Sequence, residues 1–135
     1  MNSCSRLFRA VAALCIIIVC CCFIACRPEQ RVLLVQEESF FSDYEIQGGS
    51  VVLTYYLTFY NPYSFEVKVN VYGDFSKDVE TGLLKGSELI GLCDGEEIIV
   101  LSSGETSIYV TFIGDYDGVP QKFNRNLPDI DVKLI

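Results

Sequence analysis

Two long runs in the middle of the chain alternate apolar and polar positions with a period of two. From Val51 to Tyr60, Leu53, Tyr55, Leu57 and Phe59 fall on one face, with Val52, Thr54, Tyr56, Thr58 and Tyr60 on the other. From Phe65 to Tyr72, Phe65, Val67, Val69 and Val71 share a face opposite Glu66, Lys68, Asn70 and Tyr72. Successive side chains of a strand point to opposite sides, so the pattern predicts two half-buried β-strands. Asn61-Pro62-Tyr63-Ser64 between them suits a type I turn, with Asn first and Pro second. One arrangement is a hairpin pairing Phe59 with Phe65, Leu57 with Val67 and Tyr55 with Val69, which sets Tyr56 against Lys68 and Val52 against Tyr72. The other is a turn that carries the chain from one sheet to a second.

Shorter strands are expected at Glu88–Leu92, Ile98–Leu101 and Thr106–Phe112, the last with Ile108, Val110 and Phe112 inward and Ser107, Tyr109 and Thr111 outward. Ser102-Ser103-Gly104-Glu105 forms a turn before it, and Asp94-Gly95 is a preferred hairpin pair. Ile130, Val132 and Leu134 alternate with Asp131 and Lys133 in a closing strand. An early strand fits Val32–Gln36, whereas Glu37–Gly49 has no clear pattern. Gln121–Pro128 is polar, with Phe123 and Leu127 as plugs in a connection. No ten-residue amphipathic helix follows Cys26. Six to eight short strands predict an all-β domain, a small antiparallel β-sandwich.

The N-terminal segment follows a different rule. After a short basic stretch holding Arg6 and Arg9, every residue from Ala10 to Cys26 is apolar. A helix of that length spans roughly 26 Å, slightly under the ~30 Å hydrocarbon thickness, so a secretory leader fits better than a membrane span. Phe23-Ile24-Ala25-Cys26 ends the run, and Arg27-Pro28 stops any helix. These four residues resemble the lipobox of bacterial lipoproteins. The resemblance implies cleavage between Ala25 and Cys26 and acylation of the Cys26 thiol with fatty chains such as palmitate. Phe23 stands where leucine is commoner, and Ile24 is bulkier than the usual residue. The domain plan is therefore a signal peptide at 1–25, a lipidated cysteine and short tether at 26–31, and a β-sandwich at 32–135. Two other readings of the segment are an uncleaved single-pass anchor with its N-terminus inside and a chain palmitoylated at Cys20–Cys22. All three place the domain at a membrane. The tether from Cys26 to Val32 is about five residues, or roughly 16 Å when extended, so the domain stays close to the bilayer.

A second resemblance rests on Phe59-Tyr60-Asn61-Pro62, the Val-rich strand after it, and Leu101-Ser-Ser-Gly104-Glu105 before a further strand. Together they look like the immunoglobulin-like sandwiches of the LEA/WHy and FxLYD type. The match covers residues 50–113, with Ser103 where Pro is usual and no Leu-Tyr-Asp following. It implies an immunoglobulin-like sandwich of the kind found in non-enzymatic modules of secreted and lipid-anchored bacterial proteins.

Charge and cysteine usage sharpen this picture. The segment after Cys26 holds eight of the ten basic residues and all 18 acidic ones, a formal charge of −10. Such a surface repels phosphate backbones, which argues against a nucleic-acid partner. Six of the seven cysteines lie at or before Cys26, leaving Cys93 alone in the domain, so no intradomain disulfide is expected; Cys93 reads as a buried or half-buried residue at a strand end rather than a reactive thiol. The chain has no histidine, which removes the Ser-His-Asp and Cys-His arrangements and the usual zinc sets. Gly48-Gly49 precedes a strand with no helix after it, unlike a phosphate-binding loop. Asp94 and Glu96, and Asp115 and Asp117, read first as turns and second as weak calcium ligands that join at one end of the sandwich. The outward tyrosines Tyr56, Tyr60, Tyr72 and Tyr109 form a candidate interaction face, with plain cross-strand packing as the alternative. The expected function is a monomeric, non-enzymatic, cofactor-free lipoprotein of the bacterial cell envelope that serves as a protein-interaction or assembly module. The alternative is a ligand- or Ca²⁺-binding lipoprotein using its acidic loops.

Overall fold

The computed structural model describes residues 2–25, 30–118 and 125–135. The chain divides into two units, Met1–Gln30 and Arg31–Ile135. The first is helix α1, Asn2–Ala25, whose described side chains from Ser5 to Ile18 are exposed. Among the described residues no helix is long and apolar enough to cross a membrane. Cys26, the expected lipid acceptor, and Phe123 lie outside the described residues.

The second unit is mostly β. Its eight described strands are β1 (Leu33–Leu34), β2 (Phe40–Gln47), β3 (Ser50–Asn61), β4 (Val67–Asp74), β5 (Glu88–Leu92), β6 (Ile99–Leu101), β7 (Gly104–Asp115) and β8 (Asp129–Leu134). They form one antiparallel sheet curled into a half-barrel. β1 and β2 lie in succession along one edge of β3, and β7 runs along the other for its full length. On the facing wall β4 is flanked by β8 on one side and by β5 and β6 on the other. β5 joins the walls: Glu88, Leu89 and Ile90 pair with β4, and Gly91 and Leu92 pair with β7. A short helix, α2 (Ser76–Glu80), follows β4.

The alternation in the sequence becomes burial. Val51, Leu53, Tyr55, Leu57 and Phe59 of β3 are fully buried, as are Val69 and Val71 of β4 and Val110 and Phe112 of β7. Each large side chain removed from water contributes about 1.5–3 kcal/mol, so these inner faces carry most of the stability. The walls meet through three rings. Phe75 lies 5.1 Å from Phe112 and 6.1 Å from Tyr55, and Tyr55 lies 5.9 Å from Phe112, mostly edge to face. The rings fill the space where other residues would carry a Cβ. A methyl placed on Gly91 would lie 2.6 Å from Val110 Cγ1, so any larger residue there would force the side chains of the facing wall to shift.

β3 and β4 do not pair, so of the two arrangements open to this turn the hairpin does not form. Asn61-Pro62-Tyr63-Ser64 instead carries the chain across the core to the opposite wall. Asn61 is buried and ties this crossing down. Its amide nitrogen donates to the carbonyls of Phe65 at 2.9 Å and Leu101 at 3.1 Å, and its carbonyl accepts from the Tyr63 N–H at 2.9 Å. Phe65, expected to point inward, precedes β4 and is 61% exposed because the chain is still turning there. Gly104 and Glu105, read as part of a turn, open β7 instead.

The segment without a clear pattern contains β2. This strand lies on the sheet edge with most side chains exposed, and a bulge between Phe41 and Asp43 shifts its register. Neither feature leaves an alternating signature. Between β1 and β2 the chain makes a single 3₁₀ turn, Gln36–Glu38, strapped onto β3 by Ser39. The Ser39 hydroxyl donates to the Val35 carbonyl at 2.7 Å and accepts the Thr58 N–H at 3.0 Å.

Candidate interaction surface

The register of β2, β3 and β7 sets Phe40, Tyr56 and Tyr109 side by side on the outer wall, because Phe40 opposes Tyr56 and Tyr56 opposes Tyr109. Phe40 stacks on Tyr56 with ring centres 5.1 Å apart, and Tyr56 meets Tyr109 edge to face, also at 5.1 Å. Tyr109 is 60% exposed and Phe40 54%, with Tyr56 half-buried between them. Tyr60 lies four residues along the same face of β3, opposite the exposed Leu33 of β1. Such rings combine a large apolar surface with hydroxyls that reach water or a partner, the chemistry enriched at protein interfaces.

The four-tyrosine face expected from alternation is therefore split. Tyr56, Tyr60 and Tyr109 share one wall, and Phe40 joins them. Tyr72 sits on the opposite wall, where Lys133 Nζ lies 4.7 Å from its ring centre. Tyr56 faces Tyr109 rather than Lys68, because β3 pairs with β7 and not with β4.

The two acidic turns do not meet. Asp94 and Glu96 belong to the tight turn after β5, where Cys93 and Glu96 exchange backbone hydrogen bonds of 3.0 Å and Asp94 and Gly95 take φ of 51° and 81°. Both positive angles identify the turn that an Asp-Gly pair favours. With Leu92 opposite Thr111, the turn is level with Tyr109. Asp115 lies six residues further along β7, roughly 20 Å away at the rise of a strand. There the Tyr116 N–H bonds to Gly49 and the Asp117 N–H to Leu83, so the segment is a packed loop. Among the described residues no group of three or more His, Cys, Asp or Glu side chains is placed to hold a metal ion.

Carboxylates do line up elsewhere. Asp74 of β4 opposes Glu88 of β5 on one side and Asp129 of β8 on the other, giving three exposed acids in one cross-strand row. The hydroxyl and backbone N–H of Ser76 both donate to Asp74 and hold its carboxyl below the usual carboxylate range. Asp78 of α2 is buried beside a cavity of about 100 Å³ lined by Phe75, Ser76, Asn126 and Leu127. Burial, and then the Asp78 charge, raise the Tyr55 phenol far above its ordinary range. Alternation could not single out Asp78, because it sits on a five-residue helix with no period of its own.

Cys93 is half-buried at the end of β5, as its position suggested, with its thiol pushed up by desolvation and then by the neighbouring Asp94 charge. A third surface lies at the pole of the sheet where β3 ends and β4 begins: a shallow depression of about 500 Å³ lined by Tyr63, Phe65, Glu66, Lys68, Leu134 and Ile135. Comparison with known proteins adds nothing to these surfaces: no family model, no curated protein and no solved structure matches the chain.

Proposed function

We propose that the protein is a lipid-anchored, extracytoplasmic module of a bacterial cell envelope, non-catalytic, and binding a protein partner through the outer wall of β2, β3 and β7. The observation that carries this reading is the division of the chain at Gln30 and Arg31. A wholly apolar run ends at Cys26, and within about five residues a separate β unit with its own core begins. That plan suits a leader that is removed and a thiol that keeps the folded part at a membrane. Two or three acyl chains, at about 0.8 kcal/mol per buried methylene, hold such a module essentially permanently.

The row of Phe40, Tyr56 and Tyr109 supports the interaction half of the reading. Three rings in contact, two of them more than half exposed, form an apolar strip across the outer wall of β2, β3 and β7. Tight anchors of this composition dominate binding energy where a partner covers them. The finer fold belongs to the same proposal: the walls built on β3 with β7 and on β4 with β8 correspond to the two sheets of an immunoglobulin-like sandwich of the LEA/WHy or FxLYD kind. The buried Asn61 at the crossing and the Ser103 hydroxyl bonded to the Tyr63 carbonyl at 2.6 Å support that reading.

Mass spectrometry of the protein extracted from its native membranes tests the anchor. The expected result is an N-terminal Cys26 carrying acyl mass; an intact Met1 with an unmodified Cys26 overturns it. A photocrosslinking side chain placed at Tyr109 tests the interaction wall. It is expected to give a discrete adduct that the same side chain at Lys85 does not give.

A further inference from the structure

Six strand ends converge at one pole of the sheet. β3 ends there at Asn61, β4 begins at Val67, β6 ends at Leu101, β7 begins at Gly104, β8 ends at Leu134, and β1 begins at Leu33. The registers fix this juxtaposition, since Leu33 opposes Tyr60, Asn61 opposes Gly104, and Val67 opposes Leu101. The chain therefore enters β1 at this pole. Val32 belongs to the buried core, so the chain is pinned to the sheet from that residue onward. Only about five residues, roughly 16 Å of extended chain, separate Val32 from Cys26. The far pole stands a full twelve-residue strand away, roughly 40 Å.

The surface around the tether is unlike the rest of the domain. Phe65 is 61% exposed and stacks on Tyr63 at 5.3 Å, and Ile135 and Leu134 are exposed beside them across the shallow depression. Leu33 and Tyr60 extend this set along the rim. The charged side chains nearest its strand ends are Arg31, Lys68, Glu66 and Glu105, two of each sign, with Glu37 and Glu38 of the 3₁₀ turn a few residues further back beside Thr58 of β3. Aromatic and aliphatic groups without net negative charge are what the headgroup region of a bilayer accepts, whereas a strongly acidic surface is repelled by anionic lipid.

We infer that this pole is a bilayer-contacting surface: with Cys26 acylated, the rings of Phe65 and Tyr63 and the side chains of Leu134 and Ile135 rest in the headgroup region, and the domain stands on the membrane with its outer wall free for a partner. The inference rests on the lipid-anchor reading above. It assigns the pole to the phospholipid interface, the one partner that a short tether holds against it.

The chain contains no tryptophan, so a single substitution supplies an unambiguous reporter. The full-length lipidated protein is prepared as F65W, as a second pole variant I135W, and as I113W, whose site lies on the outer wall towards the far pole. Each is reconstituted into vesicles of phosphatidylcholine and phosphatidylglycerol with bromine on the acyl chains. Flotation shows attachment, and tryptophan emission reports contact. F65W and I135W are expected to lose roughly half their emission while I113W is unchanged, because interfacial groups lie within ~5–10 Å of the acyl boundary. Attachment without quenching at either pole site overturns the inference and leaves the anchor standing. Equal quenching of I113W means that the wall lies flat, and also overturns it. A blue-shifted, unquenched F65W that changes with protein concentration assigns the pole to a second copy instead. Protein that does not float, with an unmodified Cys26, overturns the anchor reading itself.

Discussion

Asn61→Ala removes a buried side chain that ties the β3–β4 crossing to Leu101 of β6, and the structure sets the size of the loss. Asn61 is 1% exposed and makes three hydrogen bonds. Two of the bonds, to the Phe65 carbonyl and from the Tyr63 N–H, are partly buried, and water can replace them; each is worth about 1 kcal/mol net. The third accepts at the Leu101 carbonyl inside the protein, and leaving that carbonyl bare costs about 1–3 kcal/mol. The total is at least about 3 kcal/mol, a large share of the 5–15 kcal/mol typical of a domain. Urea unfolding followed by circular dichroism reads it directly. With a slope of about 1.5 kcal/mol/M, the midpoint falls by about 2 M. Asn61→Asp is the sharper partner experiment, because it keeps the shape and the bond from Tyr63 yet turns an acceptor towards two carbonyls. Burial and those carbonyls raise the folded-state pKa of the new carboxyl. Its destabilisation is therefore largest at pH 7 and shrinks as pH falls and the group takes up a proton. A midpoint shift below about 0.3 M for Asn61→Ala, or an Asn61→Asp variant as stable as the wild type at pH 7, refutes the assigned role.

Other outcomes follow from the same structure. A double-mutant cycle on Tyr56→Ala and Tyr109→Ala should return a coupling of about 0.5–1.5 kcal/mol, the value of an aromatic pair beyond its buried area, and zero coupling refutes the ring contact. Asp129→Asn removes one of three like charges in the row with Asp74 and Glu88; it should stabilise the fold at low salt by a few tenths of a kcal/mol, seen as a slightly raised thermal midpoint, and the gain should vanish in high salt. Gly91→Ala drives a methyl into Val110 and Phe112 and should cost about 1–3 kcal/mol in urea unfolding. The raised Cys93 thiol should alkylate more slowly in the folded protein than in urea at pH 8. Because folding favours its protonated form, this thiol stabilises the fold below its unfolded-state pKa and loses that contribution as pH rises towards the folded-state value.

Much of the inner architecture could be read from alternation alone. The inward sets of β3, β4 and β7, the closing strand, the Asp94-Gly95 turn and the half-buried Cys93 are local matters: a strand that buries one face must repeat with period two. The boundary at Cys26 is equally local, a change of composition along the chain. Tertiary structure decided everything that depends on which strands are neighbours. Alternation is the same whether β3 pairs with β4 or with β7, so only the pairing shows that Tyr56 meets Tyr109 and that Tyr72 belongs to the other wall. β2 escaped because an exposed, bulged edge strand buries neither face consistently, although Gly48-Gly49 before β3 was a usable hairpin signal. The Glu88–Asp74–Asp129 row, the burial of Asp78 and the gathering of Tyr63, Phe65, Leu134 and Ile135 around one depression are likewise products of pairing across long stretches of sequence. Burial periodicity is written residue by residue, whereas register is settled by contacts between distant segments, and the surfaces proposed for function lie on that second level.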